Sequence, residues 1–206
     1  MTYHTRAARN RGLTLVELLI AVTITALVAA GVASMLVATT RGTSSRTDLR
    51  GLAVKHKTLA ARLTASIRSS KMVLDSGSDF VVLWAHDERV NDLPNLSELQ
   101  RIEWDNTNNE VRSYTTEFPG GWSEAQIEAA DTQYDFTTDF DAETTTLKTN
   151  QPDRFPATMW GTSVTALSFV VDDANPQLAG LVSFELTVSA EVLSDTSINA
   201  VALRNE

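Results

Sequence analysis

Residues 9–42 read RNRGLTLVELLIAVTITALVAAGVASMLVATTRG, a basic start followed by a long apolar run. From residue 13 to residue 40 the only ionisable side chain is that of Glu17. A transmembrane helix needs roughly 20 apolar residues at about 1.5 Å of rise each, and this run is long enough. A buried core helix is rarely so uniformly apolar, and an ordinary secretory signal has only roughly 7–15 apolar residues. The stretch therefore predicts a transmembrane helix, with cleavage after Ala33 and release of a secreted domain as an alternative.

Glu17 is the unusual residue of this run, because a charge at the centre of a membrane helix costs roughly 2.5–3.5 kcal/mol. If the chain is cut between Gly12 and Leu13, a new α-amine lies one helical turn before Glu17, on the same face. A carboxylate near a helix N-terminus also interacts favourably with the helix dipole. We expect the amine and the carboxylate to neutralise each other in lipid, within one subunit or between neighbours. The alternative is that Glu17 is only an acid that snorkels at the membrane edge.

The segment RGLTLVELLIAVTI closely resembles the processing and methylation segment of type IV pilins and of the pseudopilins of type II secretion. The resemblance implies that a prepilin peptidase in the membrane cuts after Gly12 and N-methylates Leu13, where many members of the family have Phe. It also implies that Glu17, the fifth mature residue, acts in assembly. The resemblance covers only about the first thirty residues, so it identifies the route of export and assembly and does not identify the globular part.

The same resemblance implies a location and a set of partners. It places the chain in the inner (cytoplasmic) membrane as a single-pass protein, with a cytoplasmic N-terminus and a periplasmic or otherwise extracytoplasmic globular domain. Charge alone is ambiguous on this point, because basic residues flank the apolar run on both sides. The implied partners are other pilin or pseudopilin subunits, the prepilin peptidase and an inner-membrane assembly platform.

Charge is distributed unevenly along the 206 residues. Residues 1–71 hold 11 Lys and Arg against two acids, whereas residues 72–206 hold 6 Lys and Arg against 24 acids, so their net charges are +9 and −18. An acidic body repels phosphate, and no nucleic-acid partner is expected. The chain has no cysteine, so no disulfide holds the fold.

The sequence predicts four segments: a basic leader at 1–12, a transmembrane and assembly helix at 13–40, an amphipathic helical stem at 41–70, and a β-rich globular domain at 71–206. Threonines, serines and Gly42 make 39–45 weak helix, so we expect a kink or a locally meltable turn there. The stem carries an apolar stripe at three- and four-residue spacing, formed by Leu49, Leu52, His56, Leu59, Leu63 and Ile67. His56 is expected to be a packed or hydrogen-bonded core residue.

Strand patterns follow the stem. KMVLDSGSDFVVLWA predicts two strands around a turn, LQRIEWDNTNNEVRSYTT predicts a hairpin, VTALSFVVDD predicts a further strand, and VSFELTVSAEV alternates cleanly. A last strand is expected near residues 198–203, and the acidic region 117–160 is predicted to be irregular. The expected fold class is α+β, a long N-terminal helix packed by its C-terminal half on an antiparallel β-sheet, as in pilins. The size and the tail Leu203, Arg204 and Asn205 loosely resemble the J-type minor pseudopilin or the W-type minor pilin.

Motifs for catalysis are nearly absent, since the sequence has no G-x-S-x-G, no H-E-x-x-H and no P-loop. A Ser/His/Asp set stays open, because such residues converge only in space. Four acids cluster at short spacing that suits calcium, namely Asp135, Asp139, Asp141 and Glu143. A solvated acidic loop is the favoured interpretation, so no metal and no cofactor are predicted.

We therefore expect a structural, non-enzymatic minor subunit of a type II secretion or type IV pilus-like filament. The alternative is a membrane-anchored periplasmic enzyme or ligand-binding module that uses a pilin-like leader.

Overall fold

The structure is a computed structural model that describes residues 14–89, 91–191 and 193–204, with the side chains of residues 38–48 outside that description. Gly12 and Leu13 lie outside the described residues. Contacts divide the chain into two units, Met1–Thr47 and Asp48–Glu206. Helix α1, Leu15–Ser69, contributes residues to both.

In the first unit, α1 contains an apolar segment, Leu15–Val37, that is long and apolar enough to cross a membrane. The backbone is also helical at 39–45, where the sequence predicts a kink or a meltable turn. That local weakness stays a prediction.

The second unit is built from the remainder of α1 and two antiparallel sheets, which confirms the α+β class. The five-stranded sheet has the order β1-β2-β3-β4-β5, and its strands are Met72–Ser76, Phe80–Trp84, Leu99–Asp105, Glu110–Thr115 and Ala157–Thr162. The three-stranded sheet has the order β6-β7-β8, with strands Val164–Val171, Leu181–Ala190 and Leu193–Ala202. Short 3-10 helices lie at Leu96–Glu98 and Pro176–Leu178. The predicted β1–β2 pair and β3–β4 hairpin are both present, and β8 begins five residues before the strand expected near residue 198.

The stem packs through its apolar stripe as the sequence predicts, except at its first member. Four aliphatic side chains of the stripe are buried with residues from both sheets in one core, and these are Leu52, Leu59, Leu63 and Ile67. Leu49 is half exposed and does not belong to this core. Gly161 of β5 permits the close approach, because a Cβ there would meet Leu59 Cδ2 at 3.0 Å. The stem therefore packs closely on β5 because its apolar side chains recur on one face and because Gly161 has no side chain at the point of contact.

The five-stranded sheet has a core on each face. In β2, Val81 and Leu83 join the core under the stem, whereas Val82 and Trp84 join a second core. This separation follows from the alternation of side chains along a strand. The second core is completed by aromatic and aliphatic residues from the region between β4 and β5, including Tyr134, Phe140, Leu147 and Phe155.

The region 117–160 is more ordered than the sequence predicts. It contains helix α2, Glu124–Ala130, helix α3, Phe140–Asn150, and the start of β5. In α3, Asp139 caps the helix by accepting a hydrogen bond from the backbone N–H of Ala142, and Phe140, Thr144 and Leu147 are buried along one face. Burial of this face outweighs the weak helix propensity of the threonine-rich sequence FDAETTTLKTN.

Ion pairs attach α3 to the sheet. Glu103 of β3 accepts hydrogen bonds from Lys148 Nζ at 2.7 and 2.8 Å and from Arg101 Nε at 2.7 Å. Burial raises the pKa of Glu103, but the hydrogen bonds from Lys148 and Arg101 outweigh it and hold the pKa below its usual value. The carboxylate form is therefore favoured by folding, and its contribution to stability is lost as the pH falls through that lowered pKa.

A fragment lacking residues 1–40 is expected to be soluble and to unfold cooperatively, because it keeps the buried part of the stem. A fragment lacking residues 1–70 is expected to aggregate, because it loses all four buried aliphatic side chains. At about 1.5–3 kcal/mol each, these contribute about 6–12 kcal/mol, which is comparable to the total stability of a typical domain. Size-exclusion chromatography measures the aggregation of the two fragments, and circular dichroism during heating measures whether each unfolds cooperatively. Equal solubility of the two fragments would show that the stem does not support the sheets.

Candidate functional site

The described part of the predicted processing site begins at Thr14, the second residue after the predicted cut between Gly12 and Leu13. Thr14 and Glu17 form a reciprocal capping box at the start of α1. The backbone N–H and the hydroxyl of Thr14 donate to Glu17 Oε2 at 2.9 and 3.0 Å, and the Glu17 N–H donates to Thr14 Oγ1 at 3.3 Å. Thr-x-x-Glu before an apolar run is the sequence signature of this arrangement, so residues 14–17 already contained the signal.

The capping box places the Glu17 carboxylate at the backbone nitrogen of Thr14, the residue that follows the predicted new N-terminus. Its oxygen lies 2.9 Å from the Thr14 nitrogen, and that nitrogen is bonded to the carbonyl carbon of Leu13. In an uncut chain the nitrogen of Leu13 is a neutral amide, so a cation exists there only after cleavage. Glu17 can therefore cap the helix with Thr14 before the cut, whereas an ion pair between Glu17 and the Leu13 amine can form only after the cut. That pairing stays a prediction.

Polar side chains inside the apolar segment are satisfied by the helix itself. Thr23 Oγ1 donates to the Leu19 carbonyl, Thr25 Oγ1 donates to the Ala21 carbonyl at 2.7 Å, and Ser34 Oγ donates to the Gly31 carbonyl at 2.8 Å. The large apolar side chains of the segment are instead exposed on the protein, from 49% at Val37 to 78% at Leu15. Satisfied hydroxyls and an uncovered apolar surface are what a lipid environment requires.

The four acids considered for calcium have separate partners. Asp135 accepts from Thr137, Asp139 caps α3, Asp141 pairs with Arg101 at 2.7 Å, and Glu143 accepts from the Tyr134 hydroxyl at 3.0 Å. The buried Tyr134 has its pKa raised, first by burial and then by the neighbouring Glu143. Among the described residues, no group of three His, Cys, Asp or Glu side chains is placed to hold a metal ion. Asp139 therefore caps α3, Asp141 and Glu143 attach it to Arg101 and Tyr134, and Asp135 holds the turn that precedes the helix.

The structure does bring one Ser/His/Asp set together. His56 Nδ1 lies 2.7 Å from Asp195 Oδ2, and His56 Nε2 lies 2.9 Å from Ser197 Oγ. The Ser197 hydroxyl also accepts a hydrogen bond from Asn199 Nδ2 at 2.9 Å. His56 is buried between the stem and β8, so the arrangement is a polar tie from helix to strand. The buried, hydrogen-bonded His56 agrees with the expectation from the sequence. Its partners Asp195 and Ser197 lie 139 and 141 residues away, so no motif with a fixed spacing could have identified them.

A fully buried carboxylate organises the turn before β3. Glu98 accepts from Trp84 Nε1 at 3.0 Å and from the backbone N–H groups of Glu88, Arg89 and Asn95. These donors occupy both oxygens of the carboxylate, so its role is structural.

An exposed apolar helix with a capped acid in its first turn, followed in the chain by an α+β domain, supports anchoring in a membrane by the N-terminal segment. The family model described as the prokaryotic N-terminal methylation motif matches residues 7–33. The match contains Gly12, Leu13 and Glu17, and it supports a pilin-like or pseudopilin-like protein that is processed as a prepilin. Proteins with this motif are generally structural subunits. No curated protein matches the chain.

Proposed function

We propose that this chain is a structural minor subunit of a type II secretion or type IV pilus-like filament. The observation that carries the proposal is the methylation motif at residues 7–33, with Glu17 held at the first turn of an apolar helix. In this proposal the prepilin peptidase cuts after Gly12 and methylates the Leu13 amine. The subunit waits in the inner membrane with its N-terminus in the cytoplasm, and an assembly platform transfers it into the filament.

The described side chains support a structural role rather than an enzymatic one. The Ser/His/Asp set ties the stem to β8, and the buried Glu98 accepts hydrogen bonds at both oxygens. Asp139, Asp141 and Glu143 cap or anchor α3. Each of these polar groups therefore has a structural explanation.

The subtype is proposed from the C-terminal tail. Leu203 is buried, and its N–H donates to the Gly180 carbonyl at 3.0 Å, so the tail closes against the three-stranded sheet. A closing strand followed by Leu203, Arg204 and Asn205 is the feature that resembles the J-type minor pseudopilin or the W-type minor pilin. Asn205 lies outside the described residues.

The test is the mature N-terminus of the membrane-bound protein, determined by mass spectrometry. The expected chain lacks residues 1–12, begins with Leu13 and carries one methyl group on its α-amine. A mature chain that begins near Ser34 would identify an ordinary secretory signal. A chain that keeps residues 1–12 in a host with an active prepilin peptidase would also contradict the proposal.

A further inference from the structure

The two sheets formed by the described residues end in four edge strands, and three of these edges are short or covered. Beside β1 lies the 3-10 helix Pro176–Leu178. The edge of β6 is covered by a turn, because the Phe169 N–H donates to the Ser78 carbonyl at 3.1 Å. Strand β5 has only six residues, and its Trp160 carbonyl accepts a hydrogen bond from Arg62 of the stem at 3.3 Å. Among the described residues, only β8 presents a long edge that no other element covers.

Strand β8 lacks the features that usually protect the edge of a sheet. It runs for ten residues, contains no Lys, Arg or Pro, and pairs with β7 without a register shift. Its one charged residue, Asp195, is hydrogen-bonded to His56 Nδ1 of the stem at 2.7 Å. A long and regular edge of this kind is a template for a further strand.

Every second residue of β8 directs its backbone N–H and C=O groups away from β7. Ser189, which lies opposite Ser194, donates its N–H to the carbonyl of Ser163, before β6, at 2.8 Å. Ser189 and Ser194 are therefore not hydrogen-bonded to each other, and the pattern alternates from there along the strand. The residues with outward backbone groups are Ser194, Thr196, Ile198, Ala200 and Ala202. Within the described part of the chain, these groups have no backbone hydrogen-bond partner.

The side chains of the same five residues are exposed on the face of the three-stranded sheet opposite the stem. Ile198, near the centre of β8, is 76% exposed, more than any other large apolar side chain described in the second unit. A strand laid against β8 would give Ile198 a cross-strand neighbour and cover it. The outward backbone groups and the exposed aliphatic side chain therefore point to one kind of occupant, an extended peptide segment.

We propose that an extended segment of a different subunit of the filament adds to β8 as a fourth strand of the three-stranded sheet. Main-chain hydrogen bonds to the outward groups of β8 would supply the affinity, and a β-branched or other apolar side chain beside Ile198 would supply specificity. This inference rests on the proposed function, because it names a contact between neighbouring subunits of the filament.

The charge of the stem adds a further requirement for the segment. Lys55 and Lys57 flank His56 on opposite sides of the helix, because successive residues are about 100° apart. Lys55 lines the groove beside β5, so Lys57 lies on the other flank, toward β8. Lys57 is exposed and forms none of the ion pairs found among the described residues. We therefore expect an acid on the stem-facing side of the added strand.

A second copy of this chain fits the edge poorly. Two β8 strands that pair antiparallel with each other are related by a two-fold axis perpendicular to the sheet. That rotation also reverses the stem, which packs along the sheets. The two stems would then run in opposite directions, although each follows an apolar segment that must lie in the same membrane. The proposed minor role likewise favours a neighbour of another kind.

Amide hydrogen exchange at single-residue resolution tests the added strand in the full-length, tagged chain. The chain purified alone in detergent is compared with the chain recovered from sheared filaments. The five outward amides are expected to exchange at least about tenfold more slowly in filaments, since a strand bound about nine-tenths of the time leaves them open about a tenth of the time. The intervening amides of Asp195, Ser197, Asn199 and Val201 face β7 and should be protected in both samples. Alternating protection of this kind requires main-chain hydrogen bonds.

Two substitutions of Ile198 separate main-chain from side-chain contacts. Ile198→Pro removes an outward N–H, which an edge strand tolerates, but it blocks a docking strand. It should lower the amount of filament-associated protein at least about tenfold. Ile198→Thr keeps the N–H and the β-branch and should lower that amount less than about threefold. Thermal unfolding of both processed variants in detergent checks that each is folded.

A matched pair of charge reversals tests the acid expected in the segment. Lys57→Glu should lower the amount of filament-associated protein about threefold, whereas Lys55→Glu, on the other flank of the stem, should leave it unchanged. Equal loss in the two variants would exclude an acid beside Lys57.

Three results would overturn the inference. One is an equal exchange rate of the five outward amides in both samples. The second is equal loss of Ile198→Pro and Ile198→Thr from filaments, which would indicate a side-chain contact alone. The third is co-purification of a differently tagged second copy that Ile198→Pro abolishes, which would identify the occupant as this chain itself. If the chain is cut after Gly12 and enters filaments while the five amides stay unprotected, the contact is wrong and the proposed function stands; a chain that is not cut refutes the function itself.

Discussion

Gly12→Val is expected to leave the full-length precursor in the membrane. In the proposed processing, residue 12 occupies a subsite of the peptidase that we expect to accept only a small, conformationally permissive residue, so a β-branched side chain is expected to be rejected. A pocket that discriminates against three extra carbon atoms lowers the reaction rate by about a hundredfold or more. The measurement is the ratio of precursor to mature protein in membranes, followed by pulse labelling in a host with an active prepilin peptidase.

Gly31→Val is the matched control for this prediction. Gly31 lies inside the apolar segment, and a Cβ there meets nothing within 4 Å. The same change in side chain should therefore leave processing intact. Normal maturation of Gly12→Val, or equal loss of maturation in both variants, would contradict the assignment of Gly12 as the processing determinant.

The parts of the fold that sequence predicted well are those with a regular period and one buried face. Leu52, Leu59, Leu63 and Ile67 recur at helical spacing, and Val182 alternates with polar neighbours through Val188 along β7; both sets are buried. These patterns are visible because each element buries a single face along its whole length. Leu49 followed the same spacing but is exposed, since the core that covers the stripe begins at Leu52.

Helix α3 was missed for a physical reason. Its threonines have low helix propensity, and its apolar positions Phe140 and Leu147 are too few for a clear period. The helix is stabilised by contacts that come from β3, namely Arg101 with Asp141 and Glu103 with Lys148. The members of these pairs lie 40 and 45 sequence positions apart, and no local pattern reveals them. The division of the globular part into two sheets likewise depends on which strands pair with each other, and the sequence alone does not show this.

The candidate site, unlike helix α3, depends on residues that are close together in the sequence. Its chemistry is local, so the residues that define it could be selected from a segment of six positions, Gly12 to Glu17. The Thr14 hydrogen bonds add a second role for Glu17, because a carboxylate at this position caps the helix whether or not the chain is cut. Any test of Glu17 in assembly must therefore separate capping from charge.

Glu17→Gln makes that separation. Glutamine at the third helical position can still accept a hydrogen bond from the Thr14 N–H, as in a capping box, but it carries no charge. We expect this variant to insert and to be cut, because removing a charge makes the helix more apolar. We also expect it to be incorporated poorly into filaments, because the Leu13 amine then lacks an anionic partner in a medium of low dielectric constant. Glu17→Ala, which loses both capping and charge, should behave in the same way.

Glu17→Lys is expected to give the largest loss, since it sets two cations on one face of the helix at its first turn. Removing one partner of a buried ion pair typically costs about 3–5 kcal/mol, so the amount of filament-associated protein should fall by about a hundredfold or more. Processed protein in the membrane and protein in sheared filaments are quantified separately for each variant. If Glu17→Gln enters filaments normally while Glu17→Ala does not, Glu17 acts by capping α1. Normal incorporation of Glu17→Lys would refute the ion pair and leave Glu17 as an acid at the membrane edge.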